Sequence, residues 1–385
     1  MLKKLHHLTA STGPLRRGTG LVSGVIALAL GVLCLMAVLA FHFPQYLTTP
    51  QLRQSYDVAV LRQLLFWSLV LSGALALANT LLNRARWLSG VTFVCVTAAA
   101  LLGGHKVPVK DFAQPQLYVG LDWLVLDLLG STLVFICIEK LFPLRREQPV
   151  FRDQWQTDLQ YFIVNHLGVG FVLLATNLMV HRFFGWAVQG GVQLWVQQLP
   201  LVAAVLLLML VADLIQYGVH RALHEVPLLW RVHAVHHSIT TVDWLAGSRL
   251  HIVEVLLMRT LVLAPIYVLG FSKEAIDIYI VIVGTQAVLN HANVNIRLGP
   301  LRYVLVTPNF HHWHHSQDSE ALDRNYAGQF AFLDHLFGTA VRSDKAWPQR
   351  YGVRGDYVPQ GFWKQFIFPF GKARPSVKVG ADAQP

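Results

Sequence analysis

Residues 201–224 read LVAAVLLLMLVADLIQYGVHRALH, so an apolar run is followed directly by two histidines four positions apart. A membrane-spanning helix needs about 20 mostly apolar residues, and Pro200–Tyr217 with its flanks meets that requirement. Because a helix rises about 1.5 Å per residue, His220 is expected within roughly 5–10 Å of the membrane boundary. The stretch therefore predicts a spanning helix whose end carries imidazole side chains just outside the bilayer.

The composition of the whole chain also favours a membrane protein. Of 385 residues, 54% are hydrophobic and 14% are charged, whereas a soluble domain carries about 25% charged residues. The net charge of +10 comes from Lys and Arg placed between apolar runs, which is typical of topology signals and disfavours nucleic-acid binding. Cys34, Cys95 and Cys137 lie inside apolar runs without C-x-x-C spacing, so the sequence has neither a disulfide framework nor an iron–sulfur motif.

Eight apolar runs are candidates for spanning helices. They are Leu21–Phe43, Val58–Leu82, Leu88–Leu102, Leu117–Phe142, Leu159–Val180, Pro200–Tyr217, Ile252–Leu269 and Ala275–Leu289. The last two are alternatively a hairpin that does not fully cross. With the N-terminus in the cytoplasm, the basic loops at Arg84 and Arg86 and at Lys140–Arg152 fall inside, as the positive-inside rule requires. Eight spans then return the C-terminus to the cytoplasm.

The histidines are spaced in a way that suits metal ions. The clusters are His220 and His224; His233, His236 and His237; and His311, His314 and His315. Their spacings are i, i+4 or i, i+3, i+4, and such residues share a helix face about 5–6 Å apart at Cβ. Neutral imidazole is a common ligand of Zn, Cu, Fe and Ni. Eight nitrogens exceed what one metal ion can use, so the count predicts two.

Four further residues are candidates by position. His291 follows the last apolar run, which favours it as a ninth ligand. His312 points away from the face that its neighbours share, so it is only a tentative member. His251 is expected to support a ligand or the fold rather than bind metal. Asp213 lies two turns before His220 on the same face, where it either orients a ligand through a hydrogen bond or packs helices together.

These features predict an all-α fold, a multi-pass transmembrane helical bundle with a cytoplasmic, histidine-rich di-metal cap. The expected parts are a basic cytoplasmic N-terminus (1–20), an N-terminal transmembrane region (21–200), a domain that carries the histidine clusters (201–340) and a C-terminal segment with a disordered tail (341–385). The role of residues 21–200 does not follow from the sequence.

Seven motifs recur in one known group of proteins. They are Asp213–His224 (DLIQYGVHRALH), His233–His237 (HAVHH), Arg249–Glu254 (RLHIVE), Asn290-His291, His311–His315 (HHWHH), Asp323–Tyr326 (DRNY) and Leu333–Thr339 (LDHLFGT). With these motifs, residues 201–339 resemble the fatty acid hydroxylase/sterol desaturase superfamily, and Asp323 becomes a tentative supporting residue. Some members have a second histidine four residues after the isolated one, where this chain has Asn295. Asn295 is therefore a weak ligand, a water-binding residue or neither.

The resemblance implies an oxidase that uses two Fe ions and O₂ to hydroxylate, or alternatively to desaturate, an acyl chain, sterol or related lipid taken from the bilayer. Because the sequence holds no flavin or ferredoxin motif, a separate cytoplasmic electron donor is expected, either a ferredoxin or a b-type cytochrome with its reductase. Basic loops such as Lys140–Arg152 would attract it. The expected location is a bacterial inner membrane with the metal site on the cytoplasmic face.

Other classes of function fit the sequence less well. A transporter should place its ligands near mid-membrane, whereas these histidines follow the end of a span. A bis-histidine haem protein needs two histidines rather than eight. His224–Leu228 begins like the zinc-protease motif H-E-x-x-H, but Leu228 stands where the second histidine should be.

Overall fold

A computed structural model describes residues 21–53, 56–83, 86–108, 118–296, 298–341 and 346–371. Within these ranges the chain is helical and has no named strand, which confirms the all-α prediction. The α-helices are α1 (Leu21–His42), α2 (Pro44–Leu47), α3 (Pro50–Arg53), α4 (Val58–Leu82), α5 (Arg86–Leu101), α6 (Leu121–Leu141), α7 (Trp155–Leu167), α8 (Val169–Phe184), α9 (Gly190–Gln197), α10 (Leu201–Glu225), α11 (Pro227–His237), α12 (Ile252–Leu269), α13 (Lys273–His291), α14 (Pro308–His314), α15 (Ala331–Leu336) and α16 (Phe362–Ile367). The predicted basic N-terminus, Arg84 and the predicted disordered tail beyond Gly371 lie outside the described residues.

Seven of the described helices are long and apolar enough to cross a membrane, so the chain is a multi-pass membrane protein. These candidate spans are Ser23–His42, Val58–Leu82, Arg86–Lys106, Leu121–Leu141, Val169–Ala187, Leu201–Glu225 and Ile252–Leu269.

Of the eight predicted runs, seven correspond to candidate spans among the described residues. The run Ala275–Leu289 does form a helix, α13, but it begins with Lys273 and Glu274 and its mean hydropathy does not reach that of a span. The run Leu159–Val180 is divided between α7 and α8. The prediction that both termini lie on one side of the membrane depended on an even number of spans, and seven candidate spans do not support it. The cytoplasmic position of the histidines stays a prediction.

The chain separates into two compact units. One contains the residues up to Leu129 together with His166–Phe171, and the other contains Gly130–Asn165 and the residues from Val172 onward. In the first unit α1, α4 and α5 pack against one another. Ser23 Oγ donates to Asn79 Oδ1 over 2.9 Å, the kind of interhelical hydrogen bond by which helices associate in lipid.

The second unit contains the histidines. Its apolar core lies between α10, α12 and α13, with Leu208, Val262 and Ala275 among the buried residues. Helix α10 is continuous for 25 residues, so its apolar part and its two histidines lie on one rigid element. It ends at Glu225 because Pro227 disfavours helical geometry in the residue before it, and the same proline begins α11. The sharp connection brings the histidines of α11 back towards those of α10.

Candidate metal centre

All nine predicted ligands come together in two groups. The five-histidine group contains His220, His224, His233, His237 and His314, and the four-histidine group contains His236, His291, His311 and His315. Within each group, one nitrogen from every residue lies within 4.8 Å of the others. The groups adjoin, because the rings of His237 and His315 stack with centroids 4.6 Å apart. This arrangement has the size of a paired metal site.

Burial keeps the imidazoles neutral. Removal from water lowers the pKa of His233, His236 and His237 well below the usual histidine range, and the neighbouring imidazoles lower each pKa further. Burial also lowers the pKa of His291 to about 4. A neutral imidazole keeps a lone pair on one nitrogen, and this is the form that binds a metal ion.

In the five-histidine group, four of the five Nδ1 atoms face hydrogen-bond acceptors. His220 Nδ1 lies 2.7 Å from the carbonyl oxygen of Tyr326. His233 Nδ1 lies 2.9 Å from Glu254 Oε1. His314 Nδ1 lies 2.8 Å from the carbonyl oxygen of Arg324. Each acceptor selects the tautomer with hydrogen on Nδ1, so the Nε2 lone pair faces the centre of the group.

The four-histidine group is supported by backbone carbonyls. His291 Nδ1 lies 2.8 Å from the carbonyl oxygen of Ala287, one turn earlier in α13, and His236 Nδ1 lies 3.2 Å from that of Arg249. Within the described chain, Nδ1 of His311 and Nδ1 of His315 are buried without a hydrogen-bond partner. This group therefore has fewer outer contacts than the five-histidine group.

The spacing of the Nε2 atoms fits metal ions. In the four-histidine group, the Nε2 atoms of His291 and His311 are 3.0 Å apart, and each is 3.2 Å from that of His315. In the other group, His220 and His233 have Nε2 atoms 3.0 Å apart. Nitrogens about 2.1 Å from one metal ion have this mutual spacing. His220 and His233 both hold their hydrogen on the outward Nδ1, so their facing Nε2 atoms cannot bond each other and are placed to share a cation.

A buried ionic network lies behind the four-histidine group. The side chain of Arg249 donates from Nε to Asp158 Oδ1 over 2.5 Å, and Arg152 donates to Asp158 Oδ2 over 2.6 Å. Arg152 also pairs with Asp243 over 2.8 Å. All four side chains are almost fully buried. Because the carbonyl of Arg249 receives the hydrogen bond from His236, the network fixes the position of one ligand. Arg152 is thus not part of an exposed basic loop, contrary to the sequence-based expectation.

Three of the five tentative residues, Asp213, His251 and His312, act away from the two histidine groups. Asp213 accepts hydrogen bonds from the backbone N–H groups of Gly328, Gln329 and Phe330 over 2.8, 3.1 and 2.7 Å. It therefore anchors the loop whose Tyr326 carbonyl supports His220, and does not touch a histidine itself.

His251 caps α12, accepting a hydrogen bond from the N–H of Val253 over 3.2 Å, and its Nε2 lies 3.0 Å from the carbonyl oxygen of Phe366. His251 thus supports the fold, which is one of the two roles expected for it from the sequence. His312 lies between Tyr351, whose hydroxyl is 2.8 Å from its Nδ1, and the carbonyl of Ala292. It faces away from both histidine groups.

The last two tentative residues differ from each other. Asp323 Oδ1 lies 3.2 Å from His224 Nδ1, in a position to orient that ring, although the carboxylate is 62% exposed. Asn295 is exposed, belongs to neither histidine group, and its backbone N–H donates to the carbonyl of Phe142 over 2.8 Å.

Sequence reasoning missed two contributors to the site. Glu254 is the last residue of the RLHIVE motif, which also contains His251. An acidic residue in the first turn of an apolar helix was the signal that could have identified it. Asp158 lies far from the histidines in sequence and had no signal, because only the fold brings it to Arg249.

The fold and the site together define a helical membrane protein with two adjoining histidine groups. Residues 205–339 match the family model for fatty acid hydroxylase. The ornithine lipid hydroxylase OlsE of Rhizobium tropici is 32% identical over 178 residues, which cover 46% of this chain and 54% of the relative. An alkylglycerol monooxygenase of Danio rerio is 31% identical over 139 residues, covering 34% of this chain and 30% of the relative. The matched segment is the one that carries the histidine motifs, so this part of the chain is similar to fatty acid hydroxylases, as the motifs predicted.

More distant relatives extend the list of chemistries. The very-long-chain aldehyde decarbonylase GL1-7 of Oryza sativa subsp. japonica is 23% identical over 273 residues, covering 66% of this chain and 41% of the relative. The chain thus spans about half, or less, of the length of the curated relatives described here. No solved structure matches it.

Proposed function

We propose that the protein is an O₂-dependent di-iron monooxygenase that hydroxylates a lipid. The observation that carries the proposal is the pair of adjoining, buried, nitrogen-only ligand groups at the end of the apolar helix α10. The names of the relatives, a lipid hydroxylase and an alkylglycerol monooxygenase, support the same reaction class.

The nine histidines would hold two iron ions, five on one and four on the other. When bound, such ions supply the redox chemistry that couples O₂ to oxidation of an unactivated C–H bond. Glu254 and the carbonyls of Tyr326, Arg324, Ala287 and Arg249 keep the ligand rings in the metal-binding tautomer. Burial of the histidines excludes bulk water from the site. The chain's own contribution is thus orientation, tautomer selection and a dry environment.

The substrate is proposed to come from the bilayer, since the histidines continue the apolar helix α10 rather than lie on a separate domain. Hydroxylation consumes one O₂, two electrons and two protons for each hydroxyl group and water formed. The two electrons are proposed to come from a separate donor, a ferredoxin or a b-type cytochrome with its reductase. The proposed location is a bacterial inner membrane with the site on the cytoplasmic face.

The alternatives are weaker. Desaturation would use the same groups, but the relatives named above are hydroxylating or decarbonylating enzymes. A transporter is disfavoured because the groups lie at the end of α10 rather than at its middle.

The decisive experiment combines metal content with product analysis. The detergent-purified chain is expected to hold about two iron ions, and cells producing it are expected to accumulate a lipid with one added oxygen. The double variant His236→Ala/His314→Ala removes one ligand from each group and should lose both metal and product. His105→Ala, which changes a histidine outside both groups, is the matched control.

Each result discriminates between proposals. One metal ion or none in the folded wild-type chain would refute the two-iron site. Two iron ions with a new double bond instead of a new hydroxyl would favour the desaturase.

A further inference from the structure

An open cavity lies where α6 ends, at the same end of the second unit as the histidine groups. It has a volume of about 320 Å³ and is lined by Lys140, Leu141, Pro143, Arg145 and Arg146. Helix α6 belongs to the candidate spans, so its last residues lie at the level where a bilayer's hydrocarbon meets its headgroups. The lining is both cationic and apolar, which suits an amphiphilic ligand.

The three cations of the cavity are not neutralised within the described chain. No described carboxylate lies within ion-pair distance of Lys140, Arg145 or Arg146. Lys140 Nζ has a contact of 3.4 Å with the carbonyl oxygen of Gln148. The nearby Glu139 is turned inward, where its Oε1 accepts hydrogen bonds from the backbone N–H groups of Trp244 and Asn293. Glu147, which follows Arg146 in the chain, forms no ion pair with the three cations, so the cavity keeps a net positive charge.

The cavity wall is fixed to the segment that carries His291. The N–H of Leu144 donates to the carbonyl of Asn293 over 3.1 Å, and the N–H of Arg145 donates to Asn293 Oδ1 over 2.9 Å. The guanidinium carbon of Arg145 lies 4.8 Å from the centre of the Tyr351 ring, a cation–π contact that orients the side chain. The site is thus preorganised, and its hydrogen-bond partner Asn293 lies two residues after His291 of the four-histidine group.

We propose that this cavity binds the anionic phosphate headgroup of a membrane lipid. Lys and Arg at a membrane surface attract anionic lipids, and Arg matches the geometry of phosphate oxygens. Leu141 and Pro143 provide apolar contact where the acyl chains begin. A stable protein interface uses roughly 20–30 residues a side, whereas five residues line this cavity. The inference depends on the membrane position of α6 and not on the hydroxylase reaction.

The test measures lipid binding to the full chain by native mass spectrometry, without reductant, so that no turnover occurs. The probes are phosphatidylglycerol, phosphatidylcholine and inorganic phosphate as a competitor. The variant Lys140→Gln/Arg146→Gln changes two exposed side chains and is expected to bind phosphatidylglycerol at least about tenfold more weakly. The matched control is Lys273→Gln/Arg302→Gln, which removes two exposed cations elsewhere. Arg145→Gln provides an independent variant of the same cavity.

The outcomes separate the sources of binding. Selective loss of phosphatidylglycerol in both cavity variants, with the control unchanged, supports the headgroup site. Competition by inorganic phosphate would show that the phosphate alone is recognised, and a lack of competition would show that the acyl chains are needed too. Equal binding by wild type and variants, or equal binding of both lipids, would overturn the proposal. It would also be overturned if the variants kept the lipid but lost binding of a negatively charged [2Fe–2S] ferredoxin.

Discussion

The five-histidine and four-histidine groups share α11 and the segment His311–His315, yet they are supported differently. In each i, i+3, i+4 triplet, the i and i+4 residues join one group and the i+3 residue joins the other. At about 100° per residue, positions i and i+4 differ by about 40° while i+3 lies about 60° away on the other side. Two short segments therefore connect both groups, and a shift of either segment would disturb both at once.

The supports of the two groups predict different metal affinities. The five-histidine group has one more nitrogen, and two of its rings face carboxylates, Glu254 and Asp323. The four-histidine group relies on carbonyls and on two histidines whose outer nitrogens have no partner in the described chain. A carboxylate behind a ligating histidine increases its basicity. We expect the five-histidine group to bind more tightly and the four-histidine group to leave more positions for small ligands.

The largest expected effect is the removal of one ligand from the weaker group. His291→Ala leaves three nitrogens and should lower metal affinity there by more than about 100-fold, so that one metal ion per chain is lost. His224→Ala leaves four nitrogens and should lose less. Metal content after dialysis against a chelator, measured by mass spectrometry, checks this. Equal losses in the two variants would contradict the proposed difference between the groups.

The next largest effect concerns the ionic network behind the four-histidine group. Asp158→Asn leaves the buried Arg152 and Arg249 without their shared counterion, which should destabilise the fold by about 3–5 kcal/mol. A lower thermal unfolding temperature is the expected result. Asp277→Asn breaks an exposed pair with Lys273 and is the control, with little change expected. If the two variants unfolded alike, the network would not stabilise this part of the site.

A smaller and more local effect is expected at Glu254. Glu254→Gln weakens the acceptor of the His233 hydrogen bond and should reduce metal affinity by about 10–100-fold, only in the five-histidine group. Competition with a chelator measures both affinities. Glu225→Gln, at an exposed acid that pairs with Arg221, is the control. An equal loss in the four-histidine group would mean that the groups bind metal as one unit.

Local sequence patterns predicted much of the site, because imidazole spacing and helix ends are local properties. The triplets at His233–His237 and His311–His315, and the pair His220 and His224 at the end of an apolar helix, needed no tertiary information. The division of each triplet between two groups did need it, since it depends on how α11 meets α10 and α13. The pairing of Asp158 with Arg249, 91 positions apart, is likewise set by the packing of helices.

The predicted span that is not among the candidate spans is the helix that mixes apolar and charged residues. Helix α13 has the length of a span, but Lys273, Glu274 and Asp277 occupy its first turns. The sequence also does not predict which residues must be glycine for packing. Gly170 in α8 is an example, because a Cβ there would lie 2.0 Å from the carbonyl oxygen of Tyr118. Such a close approach follows from packing around the α7–α8 break, which an apolar run does not reveal.

The smallest expected effect, at Asp323, tests whether burial determines how strongly a supporting carboxylate acts. Asp323 and Glu254 both face an outward Nδ1, at 3.2 and 2.9 Å, but only Asp323 is largely exposed. Because water can replace an exposed acceptor, Asp323→Asn should change metal affinity by less than about fivefold, in line with the small contribution of exposed ion pairs. The chelator competition used for Glu254→Gln measures it. If Asp323→Asn cost as much as Glu254→Gln, the carboxylate charge itself, rather than its burial, would distinguish the five-histidine group from the other.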